Sequence, residues 1–205
     1  MITVHGRATS SNVQKVRWAL GELGRNHRIV ERGGAHGGLD DPDFQSLTPF
    51  GLVPVYEDDE IVAQESNAIL RHLGRTARDE ALWPVSDQQA LVRADAIIEW
   101  STHTLWGAVR PPYIAVAREG MSRSDEALGR QVATLAGPLT VLENLLNDTD
   151  WLTGDAFGLA DIPAAVAMSR LVWLVGRGVL PPATGRWYDA CAERPAWRAV
   201  VYVEN

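Results

Sequence analysis

The sequence predicts a fold of two parts, an α/β domain with four strands followed by an all-helical domain. Two observations lead to this prediction. Up to residue 76, short apolar runs alternate with helical spacing in the order β-α-β, loop, β-β-α. After residue 76, only helical spacing recurs. A chain of 205 residues, 46% of them hydrophobic, has enough apolar side chains to build a core in each part.

The strands and helices of the first part follow from local patterns. Val13, Val16, Leu20 and Leu23 recur at helical spacing, and Gly24 is a suitable stop for that helix. The glycine-rich stretch 33–38 is predicted to be an exposed loop. Short apolar runs predict strands at 2–4, 27–30, 53–56 and 61–63, the last two forming a hairpin, and a second helix is predicted over 66–75.

The second part begins after a polar stretch, residues 77–87, which is typical of a linker. Residues 88–205 then form the predicted helical domain. Apolar side chains from 128 to 146 follow a 4-3-4-3-4 spacing, which predicts one long helix that is kinked at Gly137-Pro138. Further helices are predicted over 159–175, 184–193 and 195–202. Asp161, three residues after Gly158, stands at the position that closes a capping box, which is a folding signal.

Charge and composition exclude several classes of protein. A net charge of −7 argues against nucleic acid and anionic membranes as partners, because both attract basic surfaces. No apolar run approaches the ~18 residues that a membrane span needs, and we expect no secretory signal. The single cysteine, Cys191, excludes an internal disulfide, suits a reducing compartment and is predicted to be buried. No metal site is predicted, because none of the five histidines has metal-ligand spacing with another histidine, a cysteine or a pair of carboxylates.

Four stretches resemble motifs of the cytosolic glutathione transferase family, in order and at family-like distances. Residues 10–16 are similar to the pattern S-x-N-x-x-K/R-V, and residues 48–55 to N-P-x-G-x-V-P-V. Residues 65–70 resemble E-S-x-A-I, and residues 157–162 resemble F-S/T-x-A-D-I. The match is nearest to bacterial, serine-type members that are theta-, phi- or beta-like. It implies a thioredoxin-like glutathione-binding domain at 1–76, a linker at 77–87 and an all-helical electrophile-binding domain at 88–205.

The resemblance also implies roles in binding glutathione, the co-substrate. Ser10 takes the catalytic role of stabilising the thiolate, with Asn12 as the second candidate donor, whereas Ser11 is expected to be the helix N-cap. Val53-Pro54 is expected to be a cis bond that exposes the Val53 backbone to the tripeptide. Glu65 and Ser66 suit the γ-glutamyl ammonium and carboxylate. Leu52 stands where the family often has a polar residue that contacts the glycine end, and His36 in the glycine-rich loop is the candidate to supply that contact, with a solvated histidine as the alternative. As an alternative, the three residues 10–12 only cap the helix.

The helical domain would supply the pocket for a small hydrophobic electrophile. The candidate lining residues cluster at near-helical spacing and are Trp100, His103, Thr104, Trp106 and Tyr113, whereas Trp173 is expected in the core. The resemblance further implies a cytoplasmic homodimer that conjugates glutathione in detoxification. Two alternatives remain, a glutathione-dependent reductase of disulfides or peroxides, in which Asn12 matters as much as Ser10, and a non-catalytic binding module with the same fold.

Overall fold

The computed structural model describes residues 1–202. Contacts within the chain divide these residues into two compact units. The first unit comprises residues 1–78 together with 195–202, and the second comprises residues 79–194. The predicted helical domain extended to residue 205, so the structure differs by grouping 195–202 with the first unit. Residues 203–205 lie outside the described part of the chain.

A four-stranded sheet forms the centre of the first unit. Its strands are β1 Ile2–His5, β2 His27–Val30, β3 Val55–Glu57 and β4 Val62–Gln64. Their order in the sheet is β2-β1-β3-β4, with β1 parallel to β2 and β3 antiparallel to both of its neighbours. The central position of β1 explains why Thr3, Val4 and His5 are all buried. The predicted order β-α-β, β-β-α is confirmed by these elements: β1 Ile2–His5, α1 Ser11–Glu22, β2 His27–Val30, β3 Val55–Glu57, β4 Val62–Gln64 and α3 Ser66–Ala77.

Helices α1 and α3 pack together and bury their apolar residues. Most of the predicted side chains are buried, namely Val13, Val16 and Leu20 on α1 and Ile69, Leu70 and Leu73 on α3. Leu23 is only half-buried and is the C-cap that follows α1. A further short helix, α10 (Pro195–Val200), packs against α1. The Trp18 and Trp197 rings meet edge to face at 4.8 Å, and Ala196 lies so close to Gly21 that a Cβ there would be 2.9 Å away. These contacts explain why residues 195–202 belong to the first unit.

The connection between β2 and β3 is more ordered than an exposed loop. It contains a 3-10 turn at Gly34–His36 and a helix, α2 (Pro42–Leu47), which was not predicted. Arg32 holds this segment, because its guanidinium donates to the carbonyl of Gly38 at 2.7 Å and to the carboxylates of Asp41 and Asp43 at 2.9 and 2.6 Å. Pro42 at the first helical position explains where α2 begins.

The second unit consists of helices. They are α4 Gln88–Trp100, α5 Trp106–Ala117, α6 Glu126–Ala133, α7 Ala136–Leu145, α8 Asp161–Val175 and α9 Pro182–Glu193, with a π-helical segment at Ser101–Leu105 between α4 and α5 and a 3-10 turn at Arg177–Val179. The prediction of one kinked helix from 128 to 146 is wrong, because α6 ends before Thr134 and α7 begins at Ala136. Pro138 explains the break, since a proline ring clashes with the carbonyl four residues earlier, that of Thr134.

Helix α8 forms the core of the second unit and is almost entirely buried. Its first residue, Asp161, accepts the Gly158 N–H at 2.9 Å, which is the hydrogen bond that the predicted capping box requires. The helix begins later than that prediction implied, however, because its N-cap is Ala160 and not Gly158. Cys191 is also fully buried, as predicted. Across residues 1–202, no helix is long and apolar enough to cross a membrane, and no cluster of three or more His, Cys, Asp or Glu side chains is placed to hold a metal ion.

Candidate active site

The turn from β1 into α1 places Ser10 at the helix N-cap. Its backbone is extended, with φ −68° and ψ 125°, and its carbonyl accepts the Gln14 N–H at 2.9 Å. Within residues 1–202, the Ser10 side chain makes no capping hydrogen bond and is only 9% exposed. Ser11 is the first helical residue, so the expectation that Ser11 is the N-cap is wrong. The Ser10 hydroxyl therefore stands at the positive end of the helix dipole without serving as a cap.

The loop before β3 carries the cis bond between Val53 and Pro54, as predicted. Pro54 is buried and Val53 is half-buried, whereas Leu52 is 60% exposed. Thr48, which stands where the family pattern has asparagine, is buried and its hydroxyl accepts the Phe50 N–H at 3.2 Å. Thr48 thus shapes the turn that leads into this loop.

Helix α3 begins with a residue in an unusual backbone conformation. Glu65 is the N-cap, with φ 64° and ψ 115°, and its side chain is exposed. A non-glycine residue at positive φ costs about 1–3 kcal/mol, and such residues concentrate at binding and catalytic sites. Ser66, the first helical residue, is buried. The strained turn therefore brings the N-terminus of α3 to the surface together with the Glu65 carboxylate.

These three segments meet at one cleft in the first unit. Its lining residues are Asn12, Phe50, Leu52, Val53, Pro54, Gln64, Glu65 and Ser66. Six of them were singled out from the sequence, and Phe50 and Gln64 were not. Ser10 is two residues before Asn12 but is not part of the lining. The N-termini of α1 and α3 both lie at this cleft, and two helix N-termini favour negatively charged groups.

Gln64 lines the cleft although the sequence analysis did not assign it there, whereas His36 was expected to contact the ligand but does not line the cleft. The Gln64 amide donates to the Leu47 carbonyl at 2.6 Å and so joins β4 to the end of α2 beside the cleft. The sequence signal that could have identified Gln64 as a cleft residue is its position directly before Glu65-Ser66. His36 lies in the 3-10 turn, exposed, with its Nε2 3.5 Å from the Glu31 carboxylate, and it is not among the residues that line the cleft.

The candidate electrophile residues all lie in the second unit, at the α4–α5 junction. Trp106 and Tyr113 are half-buried, and their ring centroids are 6.1 Å apart. Trp173, expected in the core, is half-buried instead, and its ring lies 5.7 Å from that of Tyr113. Arg123 lies 4.1 Å over the Trp173 ring. Trp106, Tyr113 and Trp173 thus form one aromatic row, and the sequence did not reveal the third member.

The other three candidates lie just before Trp106 in the sequence. His103 and Thr104 are exposed on the π-helical segment, where the His103 imidazole is 3.3 Å from the Glu99 carboxylate. Trp100, the last residue of α4, is half-buried. Local π-helical geometry recurs at functional sites, because the extra residue in the turn reorients the side chains that follow it.

A larger cavity, of about 310 Å³, lies elsewhere in the second unit. It is bounded by α9 and the segment after α7, and its lining residues are Thr149, Asp150, Trp151, Ala183, Arg186, Trp187 and Ala190. None of the candidate site residues lines it. Its size alone does not make it the active site, because the cis-proline loop and the two helix N-termini, which favour negatively charged groups, lie at the smaller cleft.

An α/β unit of this topology with a cis-proline loop defines a thioredoxin-like domain, here followed by a helical unit. Residues 4–81 match the family profile "Glutathione S-transferase, N-terminal domain", and residues 105–195 match "Glutathione S-transferase, C-terminal domain". Glutathione S-transferase GstB of Escherichia coli is 33% identical, over 99% of both chains. Glutathione S-transferase 4 of maize (Zea mays) is 31% identical, over 95% of this chain and 89% of the maize protein.

Solved structures agree with these relatives. The theta-class glutathione S-transferase of Xanthomonas axonopodis pv. citri, solved with glutathione bound, superposes with a TM-score of 0.84 at 31% identity, over 99% of this chain and 98% of that protein. Maize glutathione S-transferase I, in complex with an atrazine–glutathione conjugate, has a TM-score of 0.87 at 24% identity over 98% and 96% of the two chains, which shows the shared fold. The chain belongs to the glutathione S-transferase family.

Proposed function

We propose that this protein joins the sulfur of glutathione to a small hydrophobic electrophile. The observation that carries the proposal is the Ser10 hydroxyl, which stands at the N-terminus of α1, two residues before the cleft residue Asn12, and makes no capping hydrogen bond. Glutathione S-transferase relatives along the whole chain support the same reaction.

Ser10 acts on the ionisation of the thiol. An ordinary thiol has a pKa of about 8.5, so only a few per cent is ionised at pH 7. A hydrogen bond from the Ser10 hydroxyl and the dipole of α1 both favour the thiolate, and each unit by which its pKa falls corresponds to about 1.4 kcal/mol. The thiol proton leaves to solvent. The sulfur then bonds to the electrophilic carbon while the bond from that carbon to its leaving group breaks.

The cleft accounts for the rest of the tripeptide. The N–H and C=O of Val53 pair with the cysteinyl backbone, in the manner of an added strand. Glu65 pairs with the γ-glutamyl ammonium, while Ser66 and the free N–H groups of α3 receive the carboxylate. We assign the glycine end to Leu52, which lines the cleft, and to His36, which lies outside the cleft lining in the 3-10 turn. In this assignment residues 1–76 form the glutathione-binding domain, and 77–87 link it to the electrophile-binding domain.

The aromatic row of the second unit supplies the electrophile site. Trp106 and Tyr113 offer flat apolar surfaces, and three neighbours, Trp100, His103 and Thr104, add further surface and polar groups. We also propose that the protein is a cytoplasmic homodimer that acts in detoxification, with residues 64–75 and 88–106 near the interface. Family membership supports these assignments.

A reductase of disulfides or peroxides is the second candidate, because Asn12 lines the cleft more directly than Ser10 does. A variant series separates the candidates. Ser10→Ala is expected to reduce kcat/KM for an activated aryl halide about tenfold or more at pH 7, because about one pKa unit of thiolate stabilisation is lost. The matched control, Ser11→Ala, removes the adjacent hydroxyl and is expected to change kcat/KM less than twofold, a change of under about 0.4 kcal/mol.

Each outcome of the series has one meaning. Unchanged conjugation by Ser10→Ala would reject Ser10 as the donor. A larger loss with Asn12→Ala, together with disulfide reduction by the parent protein, would favour the reductase. Failure of the parent protein to bind immobilised glutathione would favour the non-catalytic module.

A further inference from the structure

The segment that ends the first unit follows α1 along its length. We call residues 195–202 the C-terminal strap. Near the end of α1, Ala196 contacts Gly21, and in the middle the Trp197 ring meets that of Trp18. Toward the start of α1, the Tyr202 carbonyl accepts the Gln14 side-chain amide at 2.8 Å. The strap therefore runs toward the turn that carries Ser10.

Gln14 connects the strap to this turn. The fully buried Gln14 donates from Nε2 both to the Tyr202 carbonyl and, at 3.1 Å, to the Ala8 carbonyl. A carboxamide has two N–H hydrogens, so one side chain supports both bonds. The backbone N–H of Gln14 donates to the Ser10 carbonyl at 2.9 Å. One residue thus holds the turn at Ala8 and at Ser10.

The turn has further bonds besides those of Gln14. The Ser10 N–H donates to the Arg7 carbonyl at 3.0 Å within the turn itself, and the others join the turn to residues at the end of strand β2. Gly6 and Arg7 donate their N–H groups to the carbonyls of Val30 and Arg32, both at 2.9 Å. The Ala8 N–H donates to the Glu31 carboxylate at 3.2 Å. The Ala8 N–H is therefore held by Glu31, the residue after β2, and the Ala8 carbonyl by Gln14 of α1. Without the Gln14 amide, the Ala8 carbonyl loses its hydrogen bond to α1. Ala8 is two residues before Ser10, so the loss acts on the turn that positions Ser10.

We propose that Gln14 is a positioning residue for Ser10, and that the C-terminal strap sets the position of Gln14. The proposal rests on the proposed function of Ser10. A thiolate is stabilised only if the donor stands within hydrogen-bond distance of it, so a displacement of about 0.5 Å weakens the effect. The glutathione contacts of Val53, Glu65 and Ser66 lie on other segments. Loss of Gln14 therefore affects ionisation of the bound thiol more than binding of the tripeptide.

Gln14→Met tests the proposal, because methionine keeps the length of the side chain and removes both N–H donors. We expect the pH midpoint of kcat/KM to rise by about 0.5 unit or more, so that activity at pH 6.5 falls about threefold to tenfold. At pH 9, where the thiol ionises without help, activity should stay within about twofold of the parent value. The pKa of the thiol of bound glutathione, measured by ultraviolet titration of its thiolate, should rise by the same amount.

A matched control makes the same change in the second unit. Gln131 is half-buried on α6, and its side-chain oxygen has no hydrogen-bond partner within the described residues. Gln131→Met is therefore expected to leave the pH midpoint unchanged. Truncation after Val200 removes the Tyr202 acceptor and should shift the midpoint in the same direction as Gln14→Met. Combining the truncation with Gln14→Met should add little, because the two changes break one connection.

The outcomes separate this proposal from the proposed function. A uniform loss of activity at all pH values, or a lowered Tm with no shift of the midpoint, would overturn the positioning role. A shift in Ser10→Ala but none in Gln14→Met would reject the positioning role alone. No shift in Ser10→Ala would reject the proposed donor itself. If Gln14→Met does not fold, the truncation decides, and an unshifted midpoint there overturns the proposal.

Discussion

Asp161 is the buried carboxylate that joins three segments of the second unit. Its Oδ1 accepts the Leu152 N–H at 3.0 Å and the Trp187 indole N–H at 2.8 Å, and its Oδ2 accepts the Gly158 N–H at 2.9 Å. Asp161→Ala leaves three buried donors without acceptors. Each unsatisfied donor costs about 1–3 kcal/mol, so we expect the free energy of unfolding to fall by about 4 kcal/mol.

Glu143 provides a matched control, because it also accepts three hydrogen bonds. They come from the N–H groups of Ala183 and Thr184 and from the Thr184 hydroxyl, at 2.8–2.9 Å. The Glu143 side chain is only half-buried, so water replaces it in Glu143→Ala. We expect that variant to lose about 1 kcal/mol, the usual cost of a lost helix cap. Urea unfolding at pH 7 measures both values, and equal losses would refute the role assigned to burial.

The Asp161 carboxylate also makes the free energy of unfolding depend on pH. Burial raises the pKa of Asp161 to about 6, although its three hydrogen bonds oppose the rise. Because this value exceeds the ordinary 3.8, the protonated side chain stabilises the fold fully below about pH 4, and this contribution is lost as the pH rises through 6. The stability of the parent protein relative to Asp161→Asn, which does not titrate, should fall by about 3 kcal/mol between pH 4 and pH 7. A difference that does not change with pH would refute the raised pKa.

Two further predictions concern the strained turn and the cysteine. Glu65→Gly should raise the free energy of unfolding by about 1 kcal/mol, because glycine adopts φ 64° without strain, yet it should weaken retention on immobilised glutathione. A destabilised variant with full retention would contradict both parts. Cys191, fully buried, should not react with a polar thiol reagent in the native protein and should account for one reactive thiol per chain in denaturant. Rapid native reaction would show that the α9 face is accessible.

Local patterns were sufficient for the order of the elements but not for all of their boundaries. The predicted helix over 66–75 is confirmed as α3, because three apolar side chains at helical spacing mark its buried face. Helix α2 was missed because its six residues bury only Phe44, which is too few for a periodic signal. The break between α6 and α7 was misplaced because Pro138 acts on the carbonyl four residues before it, and not at its own position.

The candidate site could be predicted where its residues stand in short motifs. Asn12, Val53-Pro54 and Glu65-Ser66 were named from such motifs, and the structure brings them to one cleft. Trp173 was assigned to the core, because the sequence does not show that α8 places its ring beside Tyr113. A helical pattern gives the buried face of one helix and leaves its neighbours undetermined.

The sequence by itself determined the class of fold, the element order and most of the cleft residues, because periodicity and turn motifs depend on residues near one another in the chain. Only the tertiary structure decided that residues 195–202 pack on α1, and that Gln14 bonds to a carbonyl 188 residues away. The physical reason is that packing and hydrogen bonding between distant segments depend on which surfaces meet after the chain folds. No local pattern encodes that choice.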